Sequence, residues 1–329
     1  MVLVTGGTGL VGAHLLIHLA EKGEQVRAIY RNLGTIQKTK SLFSLYKKDE
    51  LYEKIQWLQA DVLDVPSLEN AFSGIEYVYH CAALISFDPK EEDRVRKTNI
   101  EGTANIVNFC LAYNAKKLCH VSSIAALGDL AAHQSIITEE TEWNPEKPHS
   151  DYAISKYGAE MEVWRGQQEG LQVLIINPGV IIGPGFWGQG SSEIFTKVKK
   201  GLPFYTKGST GFIAVCDVVS TMHQLMKSTI HGERYSLISQ NITYQNLLFT
   251  IADALKVKRP KYHAKPYLIT ILYKLDWVAS TLFGQKRQLS KAVAKSSYSN
   301  SLFSNEKIKN ALNITFIDVH HYIKEITKM

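Results

Sequence analysis

Cysteine is scarce in this chain, and its spacing fits neither a disulfide framework nor a metal site. The 329 residues contain four cysteines, Cys81, Cys110, Cys119 and Cys216, and none of their spacings resembles a zinc motif. Dense disulfide scaffolds of small secreted proteins are therefore excluded. We expect reduced thiols that fill the core of a cytoplasmic protein, and no bound metal ion.

The sequence also has few long apolar runs. Apolar strand residues begin at Val2, which leaves no charged and apolar leader before the first element, so we expect a chain that is not exported. The one membrane candidate, residues 267–284, carries Lys274 and Asp276 and is short for a spanning helix. We expect a core or lid helix there and no membrane partner, although a helix on the membrane surface remains an alternative.

Charge of one sign is not concentrated anywhere. The net charge is +6, and the lysines between residues 38 and 54 alternate with Asp49, Glu50 and Glu53. Such a mixture is typical of a solvated helix face rather than a nucleic-acid surface. With 45% hydrophobic and 21% charged residues the composition is that of an ordinary globular protein, and a small molecule is the expected partner.

Short apolar strands alternate with helix-length segments through the first half of the chain. The pattern predicts strands at 2–4, 25–30, 55–59, 75–81, 117–121 and 173–176, helices at 13–22, about 99–113 and 152–169, and a helix-prone segment up to about residue 54. Strands joined by helical crossovers form a parallel sheet covered on both faces. We therefore predict an α/β fold with a doubly wound parallel sheet of the Rossmann type.

The second half of the chain reads differently. After Pro178 the alternation weakens, and glycine, proline and aromatic residues at 183–188 predict loops around a pocket rather than more sheet. We therefore assign residues 1–177 to a dinucleotide-binding domain that the chain rejoins at about 211–230. Residues 178–329 would form mostly a smaller substrate-binding region.

A glycine-rich turn, TGGTGLVG at 5–12, connects the first strand to the first helix. Glycines lack Cβ atoms, which permits a tight turn and lets backbone N–H groups at the helix N-terminus approach a pyrophosphate. The alternative is a glycine turn that serves packing only. The residues that we assign to cofactor binding in this turn are Gly6, Thr8, Gly9, Leu10, Val11 and Gly12.

The second strand ends without the carboxylate that usually holds the adenosine ribose hydroxyls. Its last residues are Ile29-Tyr30-Arg31, and Arg31 can pair with a 2′-phosphate, with Lys38 assisting from the next segment. NADP(H) is therefore favoured, and NAD(H) remains the alternative. The competing interpretation is that both residues are ordinary surface cations.

Polar residues also follow two later strands. Asp61 and Val62 come after the third strand, where they could bind and cover an adenine ring, although a turn-capping Asp fits the local sequence nearly as well. Ser122 and Ser123 follow the strand that ends in Val121, at the carboxyl edge of the sheet where ligands bind.

Tyr152 and Lys156 lie four residues apart on a predicted helix, hence on one face. A free phenol has a pKa near 10, and acid–base chemistry at neutral pH needs a fall of roughly three units. A lysine charge together with the positive nicotinamide of an oxidised cofactor could supply it in a desolvated cleft. Such a pair often occurs by chance, but beside a glycine turn and a serine it indicates carbonyl redox chemistry.

These motifs resemble, along essentially the whole chain, the extended short-chain dehydrogenase/reductase family, also called the NAD-dependent epimerase/dehydratase family. The matching segments are TGGTGLVG at 5–12, Asp61-Val62, His80-Cys81-Ala82-Ala83, Thr98-Asn99-Ile100-Glu101-Gly102-Thr103, Val121-Ser122-Ser123, Tyr152-x-x-x-Lys156 and Asn177-Pro178-Gly179-Val180-Ile181-Ile182-Gly183-Pro184-Gly185.

The resemblance implies roles for individual residues. Tyr152 would be the general acid/base, Lys156 would hold the nicotinamide ribose and lower the Tyr152 pKa, and Ser123 would bind the substrate oxygen. Ser123 is preferred to Ser122 because the family's serine lies five residues before a glycine, here Gly128. Asn99 would act in structure or proton relay. Further residues implied in cofactor binding are Ala82, Ala83, Ser122 and Pro178. A homodimer through the helices at 99–113 and 152–169 is implied as well.

Within the family, Arg31, Lys38, the segment Ser86-Phe87-Asp88-Pro89 and the Asn-Pro-Gly-Val run resemble dihydroflavonol-4-reductase and 3β-hydroxysteroid dehydrogenase relatives, which act on ketones or alcohols with bulky apolar skeletons. Two alternatives remain, a nucleotide-sugar epimerase with retained NAD and a dinucleotide-sensing protein without catalysis. Ile124 and Ala125 after Ser123, and Asn177 before the proline, depart from the sugar-nucleotide dehydratases. Aromatic residues that could line a pocket, or equally fill a core, are Phe186, Trp187, Phe195, Phe204, Tyr205 and Tyr267.

Overall fold

The chain folds around a parallel sheet in the computed structural model, which describes residues 1–86, 88–267 and 291–329 together with Tyr273 and Asp276. Its strands are β1 (Val2–Thr5), β2 (Val26–Tyr30), β3 (Gln56–Gln59), β4 (Tyr77–His80), β5 (Lys117–Val121), β6 (Val173–Pro178), β7 (Val180–Ile182), β8 (Phe204–Tyr205), β9 (Ser209–Ala214), β10 (Glu233–Leu237), β11 (Gln240–Thr243) and β12 (Tyr262–His263).

The α-helices of the described residues, numbered in chain order, lie between and after these strands. They are α1 (Leu10–Glu21), α2 (Ile36–Leu45), α3 (Asp49–Tyr52), α4 (Val65–Phe72), α5 (Glu92–Arg96), α6 (Gly102–Ala112), α7 (Asp151–Gln168), α8 (Glu193–Lys199), α9 (Val215–Lys227), α10 (Tyr244–Ala254), α11 (Lys291–Ser296), α12 (Glu306–Leu312) and α13 (Val319–Ile326). A π-helical turn, Lys97–Glu101, joins α5 to α6.

Seven strands form the central sheet in the order β3-β2-β1-β4-β5-β6-β10, and every neighbouring pair is parallel. The direction of winding reverses between β1 and β4. In open parallel sheets that reversal leaves a crevice at the carboxyl ends of the two strands, where ligands bind. The predicted doubly wound α/β fold is confirmed.

Apolar side chains leave this sheet on both faces, as burial of a parallel sheet requires. On β1, Val2 and Val4 pack into a core with residues of α1, α2 and α9, while Leu3 packs into a second core with α4, α6 and α7. Helix α9 lies against α1, and β10 pairs with the outer edge of β6. The chain therefore returns to the central sheet after leaving it at Pro178.

The residues after Pro178 also form two smaller sheets, ordered β11-β9-β7 and β12-β8. The loops expected at residues 183–188 are confirmed, whereas the strands β7, β9 and β11 were not predicted from the sequence. Gly211 lies inside β9, where a Cβ atom would come within 2.5 Å of Ile238 Cδ1. Close packing against Ile238 therefore requires glycine at this position of the strand.

The membrane candidate and the cysteines were the subject of two further expectations. Within the described ranges, no helix is long and apolar enough to cross a membrane. The membrane candidate 267–284 lies outside the described residues except at Tyr267, Tyr273 and Asp276, and so does Phe87. The cysteines are free thiols, with Cys110 and Cys119 buried in the core.

Candidate active site

The glycine turn after β1 can be built only from glycine at two positions. Gly6 has φ +68°, and a Cβ there would lie 2.6 Å from the Ala82 nitrogen. At Gly12 a Cβ would lie 2.2 Å from the Gly6 carbonyl oxygen. The turn is therefore pressed against the end of β4 on one side and against α1 on the other.

Gly9 has a different surrounding, because it is exposed and caps the N-terminus of α1. A Cβ on Gly9 would meet only the Gly6 oxygen, at 3.5 Å. The cap has no side chain to occupy the first-turn N–H groups, and the first turn contains no acidic residue. The positive end of α1, with Leu10 and Val11 in its first turn, is thus suited to an anionic group.

A buried histidine fixes the loop that faces this turn. His80 Nδ1 lies 2.7 Å from Thr5 Oγ1, and His80 Nε2 lies 2.9 Å from Thr103 Oγ1. Since Thr103 donates its proton to the Asn99 carbonyl, it accepts from Nε2–H, and Thr5 donates to Nδ1. Burial lowers the pKa of His80 to about 3, so the ring is neutral. Thr5 also accepts the Ala82 N–H at 3.1 Å, which holds that backbone beside the turn.

The residues expected at the adenosine end differ in exposure, since Arg31 and Asp61 reach solvent and Val62 does not. Arg31 Nε is 3.9 Å from Asp61 Oδ2, and the two side chains are 58% and 29% exposed. Asp61 Oδ1 also accepts the Leu63 N–H at 3.0 Å, so this carboxylate does shape its own turn. Val62 is buried against Gly102.

Lys38 lies on the exposed side of α2, next to buried Thr39. Thr39 Oγ1 donates to the Gly7 carbonyl at 2.9 Å. This hydrogen bond fastens α2 to the glycine turn, so the helix that carries Lys38 has a fixed position relative to the N-terminus of α1.

Helix α7 begins at Asp151 because Ser150 caps it, its hydroxyl accepting the Ala153 N–H at 3.2 Å. Tyr152 is therefore in the first turn, where its phenol hydrogen-bonds to Ser123. Burial raises the pKa of Tyr152, and the hydrogen bond with Ser123 lowers it. The structure thus brings together the serine and the tyrosine that the sequence singled out.

Lys156 lies one turn further along α7 and is 2% exposed. Its Nζ donates to the Val121 carbonyl at 2.8 Å, at the end of β5. Burial lowers the pKa of Lys156 to about 8, and the nearby Glu160 carboxylate opposes that fall. In this structure Lys156 is anchored to the strand rather than to the phenol.

The two serines after β5 differ in their partners. Ser122 donates to the buried carboxylate of Glu160 at 2.5 Å. Ser123 accepts the Ala125 N–H at 3.1 Å in addition to its bond with Tyr152. Only the second serine has its hydroxyl beside the phenol.

A family model decides what this arrangement belongs to. The sequence model of the NAD dependent epimerase/dehydratase family matches residues 2–237. The chain belongs to that family. It is an NAD(P)-dependent reductase or dehydrogenase of the extended short-chain type, since its curated relatives include several named reductases.

Three similar proteins place this epimerase/dehydratase member among its relatives. A Synechocystis sp. protein with the provisional name dihydroflavonol 4-reductase is 31% identical over 267 residues, covering 78% of this chain and 73% of the relative. Sterol demethylase protein B of Methylococcus capsulatus is 27% identical over 271 residues, covering 81% and 78%. The UDP-glucose 4-epimerase structure from Thermotoga maritima superposes with a TM-score of 0.77 at 19% identity, covering 99% and 97%, which shows a shared fold.

The residues of this epimerase/dehydratase family member fit a dinucleotide. The family binds NAD(P), and the glycine turn offers the uncapped helix N-terminus described above. Lys156 Nζ, from α7, reaches the carboxyl end of β5, and Pro178 is the last residue of β6, on the same edge of the sheet. No cluster of potential metal ligands occurs among the described residues.

Two residues that support the candidate site, His80 and Glu160, were given no role from the sequence. His80 was noted only as part of a motif, and Glu160 was not singled out at all. A polar residue at the carboxyl end of each of two adjacent strands, Thr5 and His80, was the available signal for the first. Glu160 recurs four residues after Lys156, on the same helix face, which was the signal for the second.

Asn99, from the π-helical turn, connects the loop after β4 to α7. Its side chain accepts the Leu84 N–H at 2.7 Å and donates to the Leu84 carbonyl and to Ser155 Oγ at 3.0 and 2.9 Å. Ser155 Oγ in turn donates to the Tyr152 carbonyl at 2.8 Å. The amide is fully engaged in holding backbone in place.

The aromatic residues of the second half lie in different surroundings. Phe186 is buried in the core of the central sheet, and Phe195 in a separate core with Trp187 5.2 Å away. Phe204 and Tyr267 are exposed. The six candidates for an apolar wall are thus divided among two cores and the surface.

Proposed function

We propose that this protein is an NADP(H)-dependent oxidoreductase for a ketone or secondary alcohol on a bulky, apolar skeleton. The observation that carries the proposal is the hydrogen bond between Ser123 and Tyr152, with Lys156 one helical turn away at the same sheet edge. The names of the curated relatives, a dihydroflavonol reductase and a sterol-modifying protein, support such a substrate class.

In this proposal the nicotinamide supplies or accepts the electrons when it is bound. Tyr152 gives a proton to the substrate oxygen during reduction and takes it back during oxidation. Ser123 holds that oxygen beside the phenol, and Lys156 holds the ribose and favours the ionised phenol by its charge. The residues that would hold the cofactor are Gly6, Thr8, Gly9, Leu10, Val11, Gly12, Arg31, Lys38, Asp61, Val62, Ala82, Ala83, Ser122, Tyr152, Lys156 and Pro178.

The preference for NADP(H) rests on the charge at the end of β2. Arg31 is the residue that replaces the usual carboxylate, and its nearest ionic partner, Asp61, is 3.9 Å away on the surface. An ion pair at that distance and exposure contributes little, so Arg31 can exchange it for a 2′-phosphate.

A substrate screen tests the proposal. Ketones, alcohols and nucleotide sugars would be offered with NADPH or NADP⁺ while the nicotinamide absorbance is followed, with Tyr152→Phe as the blank. We expect net, Tyr152-dependent conversion of an apolar ketone or alcohol. Conversion of a nucleotide sugar by protein that retains NAD, with no net change in absorbance, would instead identify an epimerase.

A further inference from the structure

One buried carboxylate connects the ends of two strands beneath the site. Glu160 on α7 is fully buried, and its Oε1 accepts from Ser122 Oγ at 2.5 Å and from Asn177 Nδ2 at 2.6 Å. Asn177 Nδ2 also donates to the Ser123 carbonyl at 2.9 Å. The end of β5 and the end of β6 are thus held through a single side chain.

The same carboxylate has only one cationic side chain at ion-pair distance among the described residues. Arg234 on β10 lies 3.2 Å from Glu160 Oε2 and is itself fixed by two donations to the Glu139 carbonyl. Burial raises the pKa of Glu160, while Arg234, Ser122 and Asn177 lower it. The net direction of the Glu160 pKa is upward because burial is the largest influence. The three groups that donate to the carboxylate, Ser122, Asn177 and the Arg234 guanidinium, stabilise its anionic form against that burial.

Lys156 precedes Glu160 by one turn of the same helix, a spacing that places the two side chains on one face. The other titratable groups that act on the Lys156 ammonium are Cys81 after β4, His80 on β4 and His120 on β5. Both histidines are buried and neutral, since burial and Lys156 lower their pKa values. Glu160 is therefore the anion that opposes the desolvation of Lys156.

We propose that Glu160 is a positioning residue of the site, whose carboxylate holds the ends of β5 and β6 together from beneath and supplies the negative charge one helical turn from Lys156. This inference rests on the proposed function, because it assigns Glu160 to the support of Ser123 and Lys156. It adds a test of its own, since the protonation of Lys156 can be measured without substrate or turnover.

Two effects follow from removing this charge. Glu160→Gln keeps the size of the side chain and an acceptor for Ser122 and Asn177, so the strand ends can stay in place. The ammonium of Lys156 then loses the anion that opposes its desolvation, so its pKa should fall by about one further unit from about 8. At neutral pH a large share of Lys156 would be neutral.

The experiment titrates lysines labelled with ¹³C at Cε by NMR, with the Lys156 signal assigned from its loss in Lys156→Met. We expect the Lys156 pKa to be lower in Glu160→Gln by about one unit, and the alkaline limb of kcat to move to lower pH by the same amount. The matched control is Glu162→Gln, a glutamate of the same helix that pairs with Arg165 on the surface. It should leave the Lys156 titration unchanged.

The variant Glu160→Gln/Arg234→Gln also removes the half-buried guanidinium that loses its ionic partner in Glu160→Gln, and so guards against a loss of folding. Its thermal stability should be higher than that of Glu160→Gln, while the Lys156 pKa should stay as low as in that variant. A purely structural role for Glu160 does not predict a low Lys156 pKa in a stable variant. An unshifted Lys156 pKa in both variants, or an equal shift in Glu162→Gln, overturns the inference. Absence of Tyr152-dependent turnover in the wild type would overturn the proposed function instead. The Lys156 titration could still be measured, because it needs neither substrate nor turnover.

Discussion

The two ends of the proposed cofactor crevice differ in burial and in the lengths of their polar contacts. At the carboxyl ends of β5 and β6, Lys156, Glu160 and Asn177 are at most 2% exposed, and their hydrogen bonds run between 2.5 and 3.2 Å. At the other end, Arg31 is 58% exposed and its ion pair spans 3.9 Å. We call the buried set, Lys156, Glu160 and Asn177, the dry end of the crevice. The exposed pair, Arg31 and Asp61, is its wet end.

This difference teaches what each end can contribute. Buried, hydrogen-bonded charges interact strongly, and moving them costs free energy because their hydrogen bonds must break. Such an environment suits a group that must change protonation at a fixed place. Exposed cations are screened by water and salt, so they discriminate between ligands in a graded way. We therefore expect substitutions at the dry end to change rate and those at the wet end to change affinity.

The largest effect is expected for Tyr152→Phe. Removal of the hydroxyl eliminates the proton donor and leaves the ring in place, so kcat should fall by about 10³-fold or more. NADPH affinity, measured by fluorescence titration, should stay within about threefold. Comparable turnover in the variant would mean that the proton comes from another group.

The next effect is expected for Arg31→Ala at the wet end. Loss of a charge-assisted hydrogen bond to the 2′-phosphate should weaken NADPH binding by about tenfold to thirtyfold and NADH binding by less than about threefold. Dissociation constants for both cofactors decide the matter, with kcat expected to be unchanged. Equal losses of affinity for the two cofactors would show that Arg31 does not bind the 2′-phosphate.

A smaller effect is expected from pH. Burial lowers the pKa of Lys156 to about 8, and in the proposed mechanism the residue acts only when charged. Activity should therefore be retained below pH 8 and fall by about tenfold for each unit above it. Lys156→Arg, whose guanidinium stays charged, should lose this alkaline limb even if its rate is lower. A limb that persists in that variant would assign the titration to another residue.

The smallest effect is expected from salt. Raising the NaCl concentration from about 50 to about 300 mM screens the exposed cations, so the Kd for NADPH should rise by a few-fold. The Kd for NADH should change less, and kcat should not respond because the dry end is shielded. A kcat that falls as steeply as the affinity would contradict the division into two ends.

Local sequence was enough to predict six of the seven strands of the central sheet, whereas β10, which pairs with β6, was not predicted as a strand. Strands such as β1 and β6 are short apolar runs bounded by glycine or proline, and that pattern survives without knowledge of their partners. Three candidate site residues could also be predicted, because Ser123, Tyr152 and Lys156 occur in recognisable spacing. Their identification as a set still depended on the resemblance to a family.

The supporting network could not be predicted in the same way. Ser122 and Glu160 are 38 residues apart in sequence, and Thr5 and His80 are 75 apart, so their hydrogen bonds depend on strand order rather than on local pattern. The need for glycine at position 211 has a similar origin, since the side chain of Ile238, further along the chain, is what excludes a Cβ there. Long-range packing decides such positions.

The strand that returns to the sheet constrains how this protein can be re-engineered. β10 covers the edge of β6, whose six residues are all buried. A fragment cut after Pro178 would present that edge, a template for association with other chains. Grafting a different substrate-binding half onto this scaffold therefore requires splice junctions on both sides of the segment 215–237, because a single cut separates a strand from the neighbour that keeps it from aggregating.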